Sequence, residues 1–317
     1  MNGYMGARGT IMVLLTHMEG RLALKGATVE LLGRNERYTT DANGIARISV
    51  AAPPKELSLT PTPAARPYAI YSLRISCPGY ITRTALNIQV FPDIVTRLTE
   101  DMVQLADSDG ERKDTETPPH KLWRFSQSGD VSFPTVALPA QTVPSVQVPE
   151  NITVHLGTPG SDAVDVTVPF ITYIKSVASS EIYPTWPTQS LIANVHAQVS
   201  LALNRIYTEW YPSQGYPFDI AASPSFDQYY VHEREVFGTI DNVVDEYFDN
   251  YIARMGFIEP IFAQFCDGKT VTCQGLSQWG SVERAQNGEN ALEIIRYYYG
   301  KDVELRQAPV AEDVADS

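Results

Sequence analysis

In the stretch Phe170–Pro187, FITYIKSVASSEIYPTWP, one carboxylate interrupts an apolar stripe. Read as a helix over 170–181, it sets Phe170, Ile174, Val177 and Glu181 at i, i+4, i+7 and i+11, on one face. An acid where the pattern asks for a Leu is costly to bury ionised, so its pKa is expected to rise. A carboxylic acid still protonated near neutral pH suits protonation of a leaving-group oxygen. The competing reading leaves Glu181 fraying into water at the helix end.

A second locus is Cys266–Ser281, CDGKTVTCQGLSQWGS. Gln274, Ser277 and Gln278 are neutral hydrogen-bonding side chains beside the ring of Trp279, a combination that suits sugar hydroxyls and an apolar sugar face. The structural alternative makes Trp279 core packing and Ser277 a helix N-cap. Cys266 and Cys273 flank an Asp-Gly turn and read as a disulfide, half of a metal site, or two buried thiols. His196 and His232 are the histidines nearest to hand, but no C-x-x-C or H-E-x-x-H spacing joins them to the cysteines. No metal and no cofactor is therefore expected. No Ser-His-Asp arrangement, P-loop or dinucleotide fingerprint is legible either.

These loci must be held by a chain of 317 residues, long enough for two domains, with 44% hydrophobic and 19% charged residues. The net charge of −13 argues against nucleic acid and an anionic membrane as partners, but not against a glycan. Three cysteines are too few for a disulfide framework. Ile11–Leu15 is too short for a signal-peptide core, and no run approaches a membrane span.

The chain reads as multidomain: an N-terminal antiparallel β-sandwich over 1–105, a polar and Pro-rich linker over 106–148, a mainly helical α+β domain over 149–305, and an acidic disordered tail over 306–317. The first zone carries short β-branched segments such as GTIMVLLT, ARISV and YSLRIS. Asp41-Ala42-Asn43-Gly44 supplies hairpin-turn chemistry between two of them. In the linker, Leu122-Trp123-Arg124-Phe125 is a candidate docking patch, and Pro134, Pro139, Pro144 and Pro149 break any regular element. The third zone opens with a hairpin, Ile152–Leu156 and Val164–Val168, around GTPGSDA. The Glu181 helix follows, then a helix with Thr188 as N-cap, a third over Val236–Arg254, a strand at Pro260–Phe265, and helices over Gln278–Gln286 and Ala291–Tyr299.

Two blocks carry a resemblance. Val177-Ala178-Ser179-Ser180-Glu181-Ile182-Tyr183-Pro184, with Trp186-Pro187 and Ala197-Gln198, resembles the signature of the SpoIID/LytB domain family. Gly275-Leu276-Ser277-Gln278-Trp279-Gly280, with Asn287-Gly288 and Glu293–Gly300, is similar to that family's C-terminal signature. In the first zone, KGATVELLG and YTTDANGIARISV resemble a transthyretin-like, carboxypeptidase-regulatory module. The whole is similar to spore-cortex-lytic and peptidoglycan-binding proteins of spore-forming Firmicutes.

The resemblance implies a peptidoglycan lytic transglycosylase that cleaves between N-acetylmuramic acid and N-acetylglucosamine and leaves an anhydro-muramyl end. It implies a spore-associated site of action, in the cortex and coat region. Glu181 would be the acid and base, with Ser277, Gln278, Tyr183, Trp186 and Gln198 lining the glycan groove. Peptidoglycan glycan strands are the implied partner, and the exposed polar linker suits an activating protease. The alternative is a non-catalytic peptidoglycan-binding or spore-structural protein. Two departures stand out: FDIAASPSFDQYY lacks the cysteine of zinc-binding relatives, and Cys273-Gln274 replaces the usual His-Gly before the second block.

Overall fold

A computed structural model describes residues 6–17, 20–61, 65–107, 114–121 and 145–311. The expected docking patch at 122–125, Pro134, Pro139, Pro144 and residues 312–317 of the expected tail lie outside the described residues. The architecture is mixed α+β, in two compact units.

The first unit comprises Met1–Pro119, Tyr183–Thr185 and Glu233–Asp241. The chain order is β1 (Arg8–His17), β2 (Leu22–Ala23), β3 (Thr28–Leu31), β4 (Glu36–Thr39), β5 (Ile45–Ala51), β6 (Ala69–Ser76), β7 (Arg83–Val90), β8 (Val95–Asp101) and β9 (Asp114–Glu116). One sheet sets β8, β1 and β2 side by side, with β5 also on β1 and Val236–Phe237 on the outer edge of β8. The other runs β4-β3-β6-β7-β9.

The period-2 pattern turns Ile11, Val13 and Leu15 of β1 inward, with Ile48 and Val50 of β5. Val29 and Leu31 of β3, with Leu73 and Ile75 of β6, come into the same core from the second sheet. In β7 the alternation fails, because a register shift against β6 lies between Tyr71 and Leu73 and Asn87 takes φ 62°. The extra residue lets Ala85 and Ile88, three apart, both face inward.

Two expectations are corrected here. The pairing is not wholly antiparallel: β8 runs parallel to β1, and β9 parallel to β7. The Asp41–Gly44 turn does not make a hairpin, because β4 pairs with β3 and β5 with β1, so the turn hands the chain from one sheet to the other. Its chemistry is as read. Asp41 accepts from the N–H groups of Asn43 (2.8 Å) and Ile45 (3.0 Å). Gly44 sits at φ +74°, where a Cβ would lie 2.3 Å from the Leu15 carbonyl oxygen.

The second unit comprises His120–Ile182, Trp186–His232 and Asn242–Ser317. It holds β10 (Asn151–His155) and β11 (Asp165–Pro169), α1 (Phe170–Glu181), α2 (Thr188–Tyr207) and β12 (Ile220–Ala221). The next strand, β13 (Val236–Phe237), belongs to the first unit, and α3 (Gly238–Tyr247) enters the second from Asn242. Then come β14 (Asn250–Arg254), β15 (Phe265–Cys266), β16 (Leu276–Ser277), α4 (Gln278–Gln286), α5 (Ala291–Tyr299) and β17 (Val303–Gln307).

The middle of the unit is α2, which packs against α1, α4, α5 and β14 and is buried along most of its length. A helix buried on every side must satisfy its polar groups internally. Ser190 and Asn194 both bond Ser281 of α4 (2.7 and 2.9 Å), and the Ser200 hydroxyl accepts from the Ile252 N–H (2.8 Å).

Helices α1, α4 and α5 match their expected spans, and β10–β11 is the expected hairpin. Other elements differ. Thr188 is the first helical residue of α2 rather than its cap; the cap position is Pro187, with no side-chain bond. The expected helix over Val236–Arg254 is only α3, because Val236–Phe237 joins the first sheet and Asn250–Arg254 pairs with β17. The strand expected at Pro260–Phe265 shrinks to Phe265–Cys266. The tail does not begin at 306: Arg306 and Gln307 lie in β17, Ala308 is buried, and Val310 bridges Val148. The first unit runs past 105, since β9 pairs with β7 inside the expected linker. Among the described residues no helix is long and apolar enough to cross a membrane.

Candidate functional site

Glu181 is the last residue of α1 and is fully buried. Its Oε1 accepts the Tyr229 N–H at 2.8 Å, and its Oε2 accepts from Gln198 Nε2 of α2 at 3.0 Å. Burial pushes its pKa from 4.5 up to about 8, against the pull of those two hydrogen bonds. No neighbouring carboxylate contributes, so desolvation is the cause.

The surroundings follow from α1's own spacing. Tyr173, Ser176 and Glu181 all reach the segment Gln228–Val231. The Tyr173 hydroxyl donates to Gln228 Oε1 (2.8 Å), Ser176 Oγ donates to the Val231 carbonyl (2.7 Å), and the Glu181 carboxyl takes Tyr229 between them. Gln228 Nε2 in turn donates to the Gln198 carbonyl (3.0 Å), which ties this segment to α2. The Lys121 N–H donates to the Ser180 carbonyl (3.0 Å), and the Lys121 ammonium lies 5.1 Å from the Tyr229 ring centre.

Gln198 Oε1 is buried with no hydrogen-bond partner. A protonated Glu181 supplies one: turning the Gln198 amide over lets its Oε1 accept from Oε2–H. The pair therefore accommodates either protonation state by a side-chain flip, without moving α1 or α2.

The remaining expected groove residues are placed differently. Ser277 caps α4, accepting the Gly280 N–H at 2.9 Å. Gln278 is fully buried at the start of α4. Trp186 packs on Trp279 with ring centres 5.0 Å apart, and both are buried. Tyr183 belongs to the first unit, where its ring meets Phe91 at 5.7 Å. Of the five, only Gln198 touches the Glu181 carboxyl. Trp186, Trp279 and Tyr183 are all buried, each with its ring against another ring.

The other candidates resolve as well. Cys266 and Cys273 form a disulfide. His196 is buried with Nδ1 2.8 Å from the Ile192 carbonyl, and His232 pairs with the Tyr230 hydroxyl. Among the described residues no cluster of His, Cys, Asp or Glu could hold a metal. Three aspartates of the second unit have partners of their own. Asp219 accepts the Thr153 N–H, Asp227 holds Arg205 and Tyr211, and Asp267 accepts the N–H groups of Lys269, Thr270 and Val271. Sequence reading missed the Tyr229 amide, because a backbone donor leaves no mark in residue type. Gln228 and Tyr173 were legible only as polar residues in apolar surroundings.

No protein-family model matches the chain, and no curated protein matches it. Among solved structures, one similar chain is in a type II cohesin–X-dockerin complex from Acetivibrio cellulolyticus (23% identity, TM-score 0.21; 29% of this chain, 51% of that one). Another is the TIE protein of Bacillus anthracis (20%, 0.22; 31% and 17%). A third is catechol 1,2-dioxygenase from Acinetobacter sp. ADP1 (13%, 0.23; 37% and 60%). This chain thus covers less than two thirds of each, and likeness at this level bears on neither its fold nor its activity.

Proposed function

We propose that the chain is a peptidoglycan lytic transglycosylase with Glu181 as its single acid and base. The observation that carries the reading is a buried carboxyl held protonated to about pH 8 by desolvation, with no second carboxylate acting on it. Glycosidases that use water need two carboxylates, one as acid and one as nucleophile or base. A lytic cut needs one. Protonated Glu181 gives its proton to the oxygen between the muramyl and glucosaminyl residues, and that C–O bond breaks through an oxocarbenium-like state. The carboxylate left behind then takes the proton of the muramyl 6-hydroxyl as its oxygen closes on C1, an intramolecular attack. Gln198 holds Oε2 throughout. For substrate to reach Glu181 the segment Gln228–Val231 must part from α1, releasing the Tyr229 N–H.

The likeness of two sequence blocks to the SpoIID/LytB family supports this substrate class and a spore-associated role. On the same grounds we read the first unit as a sandwich-like spacer of the carboxypeptidase-regulatory kind, followed by a SpoIID-like domain. The full burial of Glu181 favours a second reading, a non-catalytic peptidoglycan-binding or spore-structural protein in which the acid is a core residue. Mass spectrometry of peptide-stripped glycan strands after incubation separates the two. Anhydro-muramyl ends made by the native chain and not by Glu181→Gln support catalysis, whereas pull-down of the strands with no new ends supports the second reading.

A further inference from the structure

The turn between β10 and β11 assembles a constellation that sequence reading did not find. His155 closes β10 and Asp165 opens β11, and the two are register partners across the hairpin. His155 Nδ1 lies 2.7 Å from Asp165 Oδ1, and Nε2 lies 3.3 Å from Ser161 Oγ in the connecting turn. A carboxylate only accepts, so it fixes the hydrogen on Nδ1 and leaves Nε2 as the base facing the serine. The imidazole is buried and stacked on Phe218, with ring centres 4.6 Å apart at 18°, so its plane is held. Ser161 is exposed.

We propose that Ser161, His155 and Asp165 form a nucleophilic serine site that hydrolyses carboxylic esters. The order of the atoms is that of a catalytic triad: carboxylate on Nδ1, hydroxyl on Nε2. Gly157 is placed for that contact. A Cβ at Gly157 would lie 2.3 Å from Ser161 Oγ and 2.8 Å from Ala163 Cβ, so only glycine lets the serine close on the ring. The residue after a nucleophilic serine commonly supplies an oxyanion donor, and here that residue is Asp162.

The hydroxyl hydrogen of Ser161 rests on the Thr158 carbonyl at 2.7 Å, and rotation about Cβ–Oγ hands it to Nε2. In the reaction, Oγ attacks the ester carbonyl as its proton passes to His155 Nε2. The leaving alkoxide takes that proton as the C–O bond breaks, giving an acyl-serine and an alcohol. Water then attacks the acyl carbon, its proton goes to Nε2 and on to Oγ, and the carboxylic acid leaves. Ser161 is exposed, so an ester reaches Oγ directly from solvent.

The test uses the full chain with a fluorophosphonate probe, on which Ser161 Oγ displaces fluoride from phosphorus, and with p-nitrophenyl acetate as ester. The expected result is one adduct, mapped by peptide mass spectrometry to Ser161 and lost in Ser161→Ala. Labelling and ester turnover should fall about 100-fold in His155→Gln and in Asp165→Asn, the loss typical of removing a general base. Unchanged circular dichroism and thermal midpoint in Asp165→Asn show that the hairpin survives. Ser161→Ala should cut glycan strands like the native chain, because the site stands apart from the Glu181 reading. No adduct on Ser161, or an adduct whose rate ignores His155→Gln and Asp165→Asn, overturns the proposal.

Discussion

Replacing Glu181 with Gln reads out the buried proton directly. The carboxyl titrates at 4.5 when unfolded and at about 8 in the folded chain. Between those values the native state binds a proton that the unfolded state has lost, so stability falls as pH rises. At 1.36 kcal/mol for each pH unit separating the two values, the loss amounts to on the order of 4–5 kcal/mol once pH exceeds 8. It is absent below 4.5, where both states are protonated. Gln at this position carries no charge, accepts the Tyr229 N–H with its oxygen, and donates its amide to a flipped Gln198 Oε1. Its folding free energy therefore lacks this dependence. Urea denaturation of both proteins from pH 4 to pH 9 tests the point, because subtracting the curves cancels every other titrating group. The difference should be near zero at pH 4 and grow in favour of Glu181→Gln with a slope approaching 1.4 kcal/mol per pH unit. A flat difference would refute the reasoning. So would a greater stability of the native chain at pH 9, which would mean that the two N–H donors stabilise the ionised carboxylate more than burial penalises it.

The acid side belongs to His196, whose pKa burial pulls from 6.5 down to about 4. Its folded form resists a proton that the unfolded chain takes, so stability should fall by about 3 kcal/mol as pH drops from 6.5 to 4, and His196→Leu should flatten that limb of the denaturation profile. Asp227 holds Arg205 in a buried pair at 2.7 Å and also accepts from the Tyr211 hydroxyl and the Ala221 N–H. Asp227→Ala strands the guanidinium and should cost about 3–5 kcal/mol in urea denaturation, while a loss under 1 kcal/mol would show the pair to be solvated. The Cys266–Cys273 bridge closes a loop of sequence separation 7 beside β16. Its removal in the double Cys→Ser variant should lower stability by about 2–3 kcal/mol through loop entropy, and an unchanged thermal midpoint would rule that out.

Periodicity made α1, α4 and α5 legible because each carries its own stop signal: Pro184 beyond α1, Gly288 beyond α4 and Gly300 after α5. The same reasoning overran at α3. Val236 and Phe237 continue a helical apolar spacing yet are taken by the edge of β8, a choice made by a partner strand distant in the chain. Arg306 and Gln307 looked like the start of a polar tail and became a strand edge for the same reason. At the site, the Glu181 mismatch could be read from face and spacing, whereas Gln198 came only from the resemblance and its bond to Glu181 depends on how α2 meets α1. The aromatic residues could not be placed, since Trp186, Trp279 and Tyr183 have the same composition whether they line a groove or fill a core. The His155–Ser161–Asp165 grouping escaped because it depends on hairpin register, which sets His155 opposite Asp165.

The most direct measurement of the central claim is the fate of the muramyl end when glycan strands are cut in water enriched in oxygen-18. If Glu181 acts alone and the muramyl hydroxyl closes on C1, the native chain yields anhydro ends one water lighter than hydrolysis products. Those ends carry no heavy oxygen, and Glu181→Gln yields none. Ends carrying oxygen-18 would show that water is the nucleophile, and cutting that persists in Glu181→Gln would show that another residue supplies the proton; either result contradicts the account.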